Sequence, residues 1–201
     1  WTETTENNTQ RIQLAALGIQ TAMVIAGGSA PPFTGATEYW NGSSWTEVND
    51  LNTARYNLGG FGTYTSALAM GGYNPSQSPG TLAQTESWNG SNWTEVNDLN
   101  QASGALRGVG ADNTSGIAVR ASYNESWNGS SWTEVNDLNT AKRQLGGSGT
   151  QTSALAYAGE SAPTAALGQT ESWNGSSWTE VADLSTARNQ VGSAGADNLS
   201  A

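Results

Sequence analysis

A twelve-residue string, Trp88-Asn89-Gly90-Ser91-Asn92-Trp93-Thr94-Glu95-Val96-Asn97-Asp98-Leu99, recurs almost letter for letter at Trp40–Leu51, Trp127–Leu138 and Trp173–Leu184. A fragment of it, Trp1-Thr2-Glu3, opens the chain where the second Trp of another copy would stand. Successive second tryptophans (Trp1, Trp45, Trp93, Trp132, Trp178) fall at intervals of about 40 to 50 residues, a spacing that marks an array of repeated supersecondary units. Within each copy, two Trp residues flank Asn-Gly-Ser-Ser/Asn. Asn-Gly suits the backbone of a tight reversal, and the flanks are rich in β-branched and aromatic residues. Each copy therefore reads as a β-hairpin with a Trp pair at its closed end.

The segments between hairpins repeat as well. Thr21–Ala26, Ser66–Met70, Ser115–Val119 and Ser153–Tyr157 are short apolar runs expected to be strands covered on both faces. Gly- and Ala-rich segments precede them: Arg11–Gly18, Arg55–Thr63, Leu106–Ala111 and Leu145–Thr150. These read as first strands at an inner position with little side-chain room, and the Trp-bearing fourth strands as an outer rim. No window carries sustained helical periodicity, so helix is expected to be near absent. The expected fold is all-β: a β-propeller of four-stranded antiparallel blades, with four full blades plus a split partial fifth. The units run over residues 9–50, 51–98, 99–137 and 138–183, with 184–201 and 1–8 forming the partial blade of a single domain spanning 1–201. The second and third strands of that blade are missing from the sequence, so the chain is expected to be a fragment of a longer protein.

Composition excludes several chemistries. The chain has 201 residues, no Cys and no His. Disulfides, imidazole or thiolate metal sites and His-based acid–base mechanisms are therefore ruled out. With 7 basic residues and a net charge of −10, nucleic acid is not an expected partner. No apolar run approaches the length of a membrane span. There are only 14 Leu, 4 Ile, 8 Val and 2 Phe, but 9 Trp in register supply the aromatic surface for a folded core.

Leu51-Asn52-Thr53-Ala54-Arg55, then Gly59-Gly60, Ala67-Leu68-Ala69-Met70-Gly71-Gly72-Tyr73, Glu86-Ser87-Trp88 and Trp93-Thr94-Glu95-Val96 resemble the kelch motif. That motif has an Arg ahead of the first strand, a double Gly after the second, and aromatics on the third and fourth. The resemblance covers essentially the whole chain and implies a propeller. It weakens in the third unit, where Arg120 stands in the place of Gly72. The Trp-Asn-Gly-Ser-Ser-Trp string is also similar to repeats in tail-fibre and other virion proteins of marine phages. This second likeness implies a structural or host-attachment role on a virion or cell surface. Partners would be other appendage subunits, further copies of the chain, or a host glycan. Kelch-containing oxidases share the blade pattern, but their copper chemistry needs His and Cys side chains that this chain lacks.

Candidate sites are few. Glu47, Glu95, Glu134 and Glu180 recur, as do Glu38, Glu86, Glu125 and Glu171; both sets read as solvated strand faces rather than catalytic or Ca²⁺-binding pairs. Asp50, Asp98, Asp137 and Asp183 follow the fourth strand and suit turn or capping use. Arg11, Arg55, Lys142 and Arg188 occupy one repeat position, with Ser103 the exception. They form either a partial basic ring for an anionic ligand or a set of ion pairs to neighbouring blades, and the ion pairs are the favoured reading. Gly60-Phe61-Gly62 and Gly108-Val109-Gly110 mimic a nucleotide-binding pattern, but no helix follows to supply the phosphate site. Loops 29–36, 74–80 and 160–167 differ between units. Phe33 and Tyr73 lie in or beside them and are candidate sugar-stacking residues. No catalytic, cofactor or metal residue is assigned.

Overall fold

A computed structural model describes residues 5–30, 32–163 and 165–193. The chain divides into two compact units, Trp1–Gly104 and Ala105–Ala201. Among the described residues there is no helix, and each unit holds two four-stranded antiparallel sheets. Unit 1 contains β1 (Ala15–Ile19), β2 (Ala22–Ala26), β3 (Thr37–Trp40) and β4 (Trp45–Val48), then β5 (Gly59–Thr63), β6 (Ser66–Met70), β7 (Thr85–Trp88) and β8 (Trp93–Val96). Unit 2 contains β9 (Arg107–Asp112), β10 (Ser115–Val119), β11 (Asn124–Trp127) and β12 (Trp132–Val135). Its second sheet has β13 (Gly146–Gly149), β14 (Ala154–Tyr157), β17 (Thr170–Trp173) and β18 (Trp178–Val181). Every sheet is a meander in which consecutive strands pair. The strand expected from Gln190 to Ala196 and the Trp1 strand fall largely outside the described residues.

The Trp hairpins form as their sequence predicts. Trp40 faces Trp45, Trp88 faces Trp93, and Trp127 and Trp173 face Trp132 and Trp178. Ring centroids in all four pairs lie 5.2–5.3 Å apart, inside the favourable range for aromatic contact. The turn works through the side chain of its Asn: Asn89 Oδ1 accepts the N–H groups of Ser91 and Asn92, both at 2.9 Å. Only the Gly takes positive φ, +93° at Gly90. The first Trp of each pair is anchored further, its Nε1–H donating to a carbonyl in the turn between the first two strands of its own sheet, as Trp88 does to Tyr64 O at 2.9 Å.

Packing within each unit explains the small first strands. β5 runs against β1, and a Cβ on Gly60 would sit 2.8 Å from a Leu17 methyl and 2.9 Å from Leu68 O. In unit 2, a Cβ on Gly147 would meet Arg107 and Val109 of β9 at 2.8 and 2.9 Å. Backbone also joins the sheets of unit 1: Asn57 N–H donates to Gln13 O at 2.8 Å. After β4, Asn49 Nδ2 donates to Ser91 O, in the β7–β8 turn, at 2.9 Å. Between the two sheets lies a core of Leu17, Val24, Leu51, Leu58, Ala67, Ala69, Trp88 and Trp93. Val109, Ile117, Val119, Leu138, Leu145, Trp173 and Trp178 form its counterpart in unit 2. Each large side chain buried this way contributes about 1.5–3 kcal/mol, so Trp and small residues together replace the missing aliphatics. The loop 160–167 contains an additional two-stranded hairpin, β15 (Glu160–Ser161) and β16 (Ala165–Ala166), that its sequence did not announce.

Candidate binding surface

The repeated charged residues belong to the frame. Glu86, second on β7, is fully buried, and so are Glu38 and Glu171 at the equivalent points of β3 and β17. Arg55 Nη1 lies 3.2 Å from Glu86 Oε1, Arg11 3.1 Å from Glu38, and Lys142 Nζ 3.3 Å from Glu171, with all six side chains at 0% exposure. The carboxylates take backbone donors as well. Asn52 N–H and Thr53 N–H reach Glu86 at 2.8 and 3.3 Å, Asn139 and Thr140 reach Glu171 in the same way, and Asn8 and Thr9 reach Glu38. The Asn-Thr-Ala/Gln-Arg/Lys string is thus a clasp closed around a buried Glu. A buried carboxylate needs this full set of partners, because one left uncompensated would be neutralised by burial.

Two expectations are corrected here. Glu38, Glu86, Glu125 and Glu171 are buried rather than solvated, although Glu47, Glu95, Glu134 and Glu180 are exposed as expected. Arg11, Arg55 and Lys142 do form ion pairs, the favoured of the two readings, and do not line an anion site. Their charges are sealed, and the partner lies in the cation's own sequence unit rather than in a neighbouring blade. Burial lowers the pKa of all three below the ordinary value, and the facing Glu pulls each back up. Glu95 and Asp98 add to the pull on Arg55, so one guanidinium offsets the like charges of Glu86 and Glu95, which face each other across β7 and β8. Arg188 keeps the backbone seat: its C=O accepts Gly159 N–H at 2.9 Å, as that of Arg55 accepts Gly28 N–H. Its side chain is exposed, and its Nε donates to Thr186 O at 3.2 Å. The repeated Asp residues do cap: Asp98 Oδ1 accepts the N–H of Thr85 at the start of β7, at 3.1 Å, and Asp50 and Asp183 do the same for Thr37 and Thr170.

What varies is the residue directly after the clasp cation. Ile12, Tyr56 and Arg143 each form an isolated bridge with the residue after a Gly-Gly or Ala-Gly pair, Ser29, Tyr73 and Glu160 respectively. The backbone is the same in all three. Tyr56 N–H donates to Tyr73 O at 3.1 Å and Tyr73 N–H returns to Tyr56 O at 2.8 Å; Arg143 and Glu160 exchange bonds of 3.1 and 2.9 Å. The side chains differ entirely. In unit 2, Arg143 Nε meets Glu160 Oε1 at 2.9 Å, and Asn189 Nδ2 donates to Glu160 Oε2 at 2.8 Å. In unit 1, the rings of Tyr56 and Tyr73 meet edge to face, with centroids 5.5 Å apart and planes at 80°. Phe33 lies 6.4 Å from Tyr56, its ring tilted by 43°.

Phe33 and Tyr73, which the sequence singles out separately, are thereby brought together through Tyr56, which it does not single out. Its signal was present: alignment of the repeats puts Tyr56 in the column next to the cation that recurs as Arg11, Arg55, Lys142 and Arg188. Tyr73 is 37% exposed, and Phe33 and Tyr56 are half-buried. Gly80 packs against the Tyr73 ring so closely that a Cβ there would fall 2.5 Å from Cε2. Beside it, Ser76, Gln77 and Ser78 are exposed on a loop tied by Asn74, whose Nδ2 donates to Ala54 O at 2.9 Å. The arrangement is three rings held by short loops, one of which carries exposed hydroxyl and amide side chains.

No protein-family model and no curated protein matches the chain. Among solved structures it is similar to that of YjhT, a kelch-type propeller, with a TM-score of 0.73 at 10% identity, over 92% of this chain and 69% of that one. At that identity the likeness speaks for the fold alone. With the four meander sheets it gives a β-propeller of four-stranded antiparallel blades.

Proposed function

We propose that this chain is a non-catalytic β-propeller that displays loops for attachment to a host surface, as part of a phage tail fibre or other virion appendage. The observation carrying the reading is the division of labour among its residues. Repeated charges and Trp rings are consumed by the frame, and chemistry that differs between repeats gathers on connecting loops, as the Phe33–Tyr56–Tyr73 rings do. The virion setting follows from the resemblance of the Trp-Asn-Gly-Ser-Ser-Trp string to phage repeats. A bacterial surface or secreted lectin-like adhesin is the second reading, favoured by the same rings, because exposed aromatics beside hydroxyl and amide groups suit carbohydrate. Fluorescently labelled protein incubated with a broad panel of bacterial cells tests attachment. Saturable binding to some strains, weakened by Tyr73→Ala, is expected, and no binding across the panel would refute it. Detection of the chain in purified phage particles separates the two settings.

A further inference from the structure

We infer that the Phe33–Tyr56–Tyr73 cluster is a stacking site for the apolar face of an uncharged sugar ring, so that the ligand class is a neutral oligosaccharide. The inference takes its biological setting from the attachment reading and its chemistry from the site itself. Three facts select the class. First, aromatic rings are held in place: the Tyr56–Tyr73 backbone bridge sets both chain positions, Gly80 backs one ring, and Phe33 adds a third ring 6.4 Å from Tyr56. Pre-ordered rings lose little freedom when a flat apolar surface lands on them.

Second, the site has no charge to offer. Residues 27–30, 32–36, 56–58 and 71–84, which build it, contain no Asp, Glu, Lys or Arg. Arg11 and Arg55 are the basic residues of unit 1, and both are sealed against Glu38 and Glu86. An acidic sugar, a phosphate or a nucleotide would find no counter-ion there, whereas a neutral sugar loses nothing by its absence. Third, the loop whose Gly80 packs on Tyr73 also carries exposed Ser76, Gln77 and Ser78, neutral donors and acceptors suited to ring hydroxyls. A cation held by ring faces is a weaker fit, because Tyr56 and Tyr73 meet edge to face and do not turn two faces to one point.

The test titrates the whole chain with cellohexaose, maltohexaose and chitohexaose, with an acidic hexuronate oligomer and tetramethylammonium as counter-probes, read by calorimetry and by aromatic NMR shifts. The expected result is saturable binding of at least one neutral hexaose that barely changes with added salt. Tyr73→Ala and Tyr56→Ala should each weaken it by roughly tenfold or more. Gly80→Ala, which displaces the Tyr73 ring, should weaken it too, while Tyr123→Ala, at an exposed tyrosine of unit 2, leaves it unchanged. Thermal unfolding of each variant shows whether it is folded. Failure of all three neutral probes, indifference to Tyr56 and Tyr73, or preference for the acidic oligomer or the ammonium would overturn the inference. Cell attachment that persists while every neutral probe fails sinks the ligand class and leaves attachment standing; hexaose binding without any cell attachment does the reverse.

Discussion

Exchange of Glu86 for Gln removes one charge and almost no volume, and the clasp makes that change costly. Arg55 is completely buried, with Glu86 its ion-pair partner at 3.2 Å, and Glu86 also receives the N–H groups of Asn52 and Thr53. The amide would present one carbonyl oxygen where two carboxylate oxygens now serve these donors. The guanidinium would be left charged in a site whose desolvation already lowers its pKa. Breaking a buried ion pair from one side costs about 3–5 kcal/mol. A domain of this size shifts its melting temperature by about 2–4 °C per kcal/mol, so a fall of roughly 6–20 °C is expected. Glu95→Gln is the control. Glu95 lies directly across the ladder from Glu86 but is exposed, so its cost should stay within about 0.5 kcal/mol. Urea and thermal unfolding followed by Trp fluorescence measure both. The double variant Arg55→Met/Glu86→Leu should recover only part of the loss, because it removes the stranded charge but still leaves the Asn52 and Thr53 N–H groups without their acceptor. If Glu86→Gln proves as mild as Glu95→Gln, the clasp does not stabilise this protein and the reasoning fails.

Two further outcomes follow from the repeats acting as internal controls. Trp93 Nε1–H donates to Thr37 Oγ1 at 3.1 Å in a buried site, whereas the equivalent Nε1 of Trp178 is buried without an acceptor. Trp93→Phe should therefore cost about 1 kcal/mol more than Trp178→Phe in urea unfolding, and equal costs would contradict the assignment. Gly62 and Gly90 both have positive φ, but a Cβ on Gly62 would collide with the backbone oxygen of Ser66, and one on Gly90 would come no nearer than 3.5 Å to Thr65. Gly62→Ala should exceed Gly90→Ala by about 1–3 kcal/mol; similar melting temperatures would show that the β5–β6 turn gives way freely.

The unit plan was open to reading because its causes are local. An Asn-Gly pair between two Trp residues specifies a hairpin wherever it stands, and an apolar run ending in Gly-Gly specifies a strand covered on both faces. Thus β3, β4, β7 and β8, and the Asp98 cap at the head of β7, were all legible from residues close along the chain. Glu86 was not. Period-two alternation assigns Glu86 and Glu95 to one face of the sheet but does not say which is covered, and the cover is Asn52–Arg55, more than thirty residues earlier. Likewise Tyr73 could be marked as an aromatic beside a variable loop, but not as one ring of three.

Order along the chain determined which strands pair. Distance through space decided which charges are sealed and which rings meet. A carboxylate or an aromatic ring takes its role from what lies against it, and in this fold those neighbours come from three separate loops.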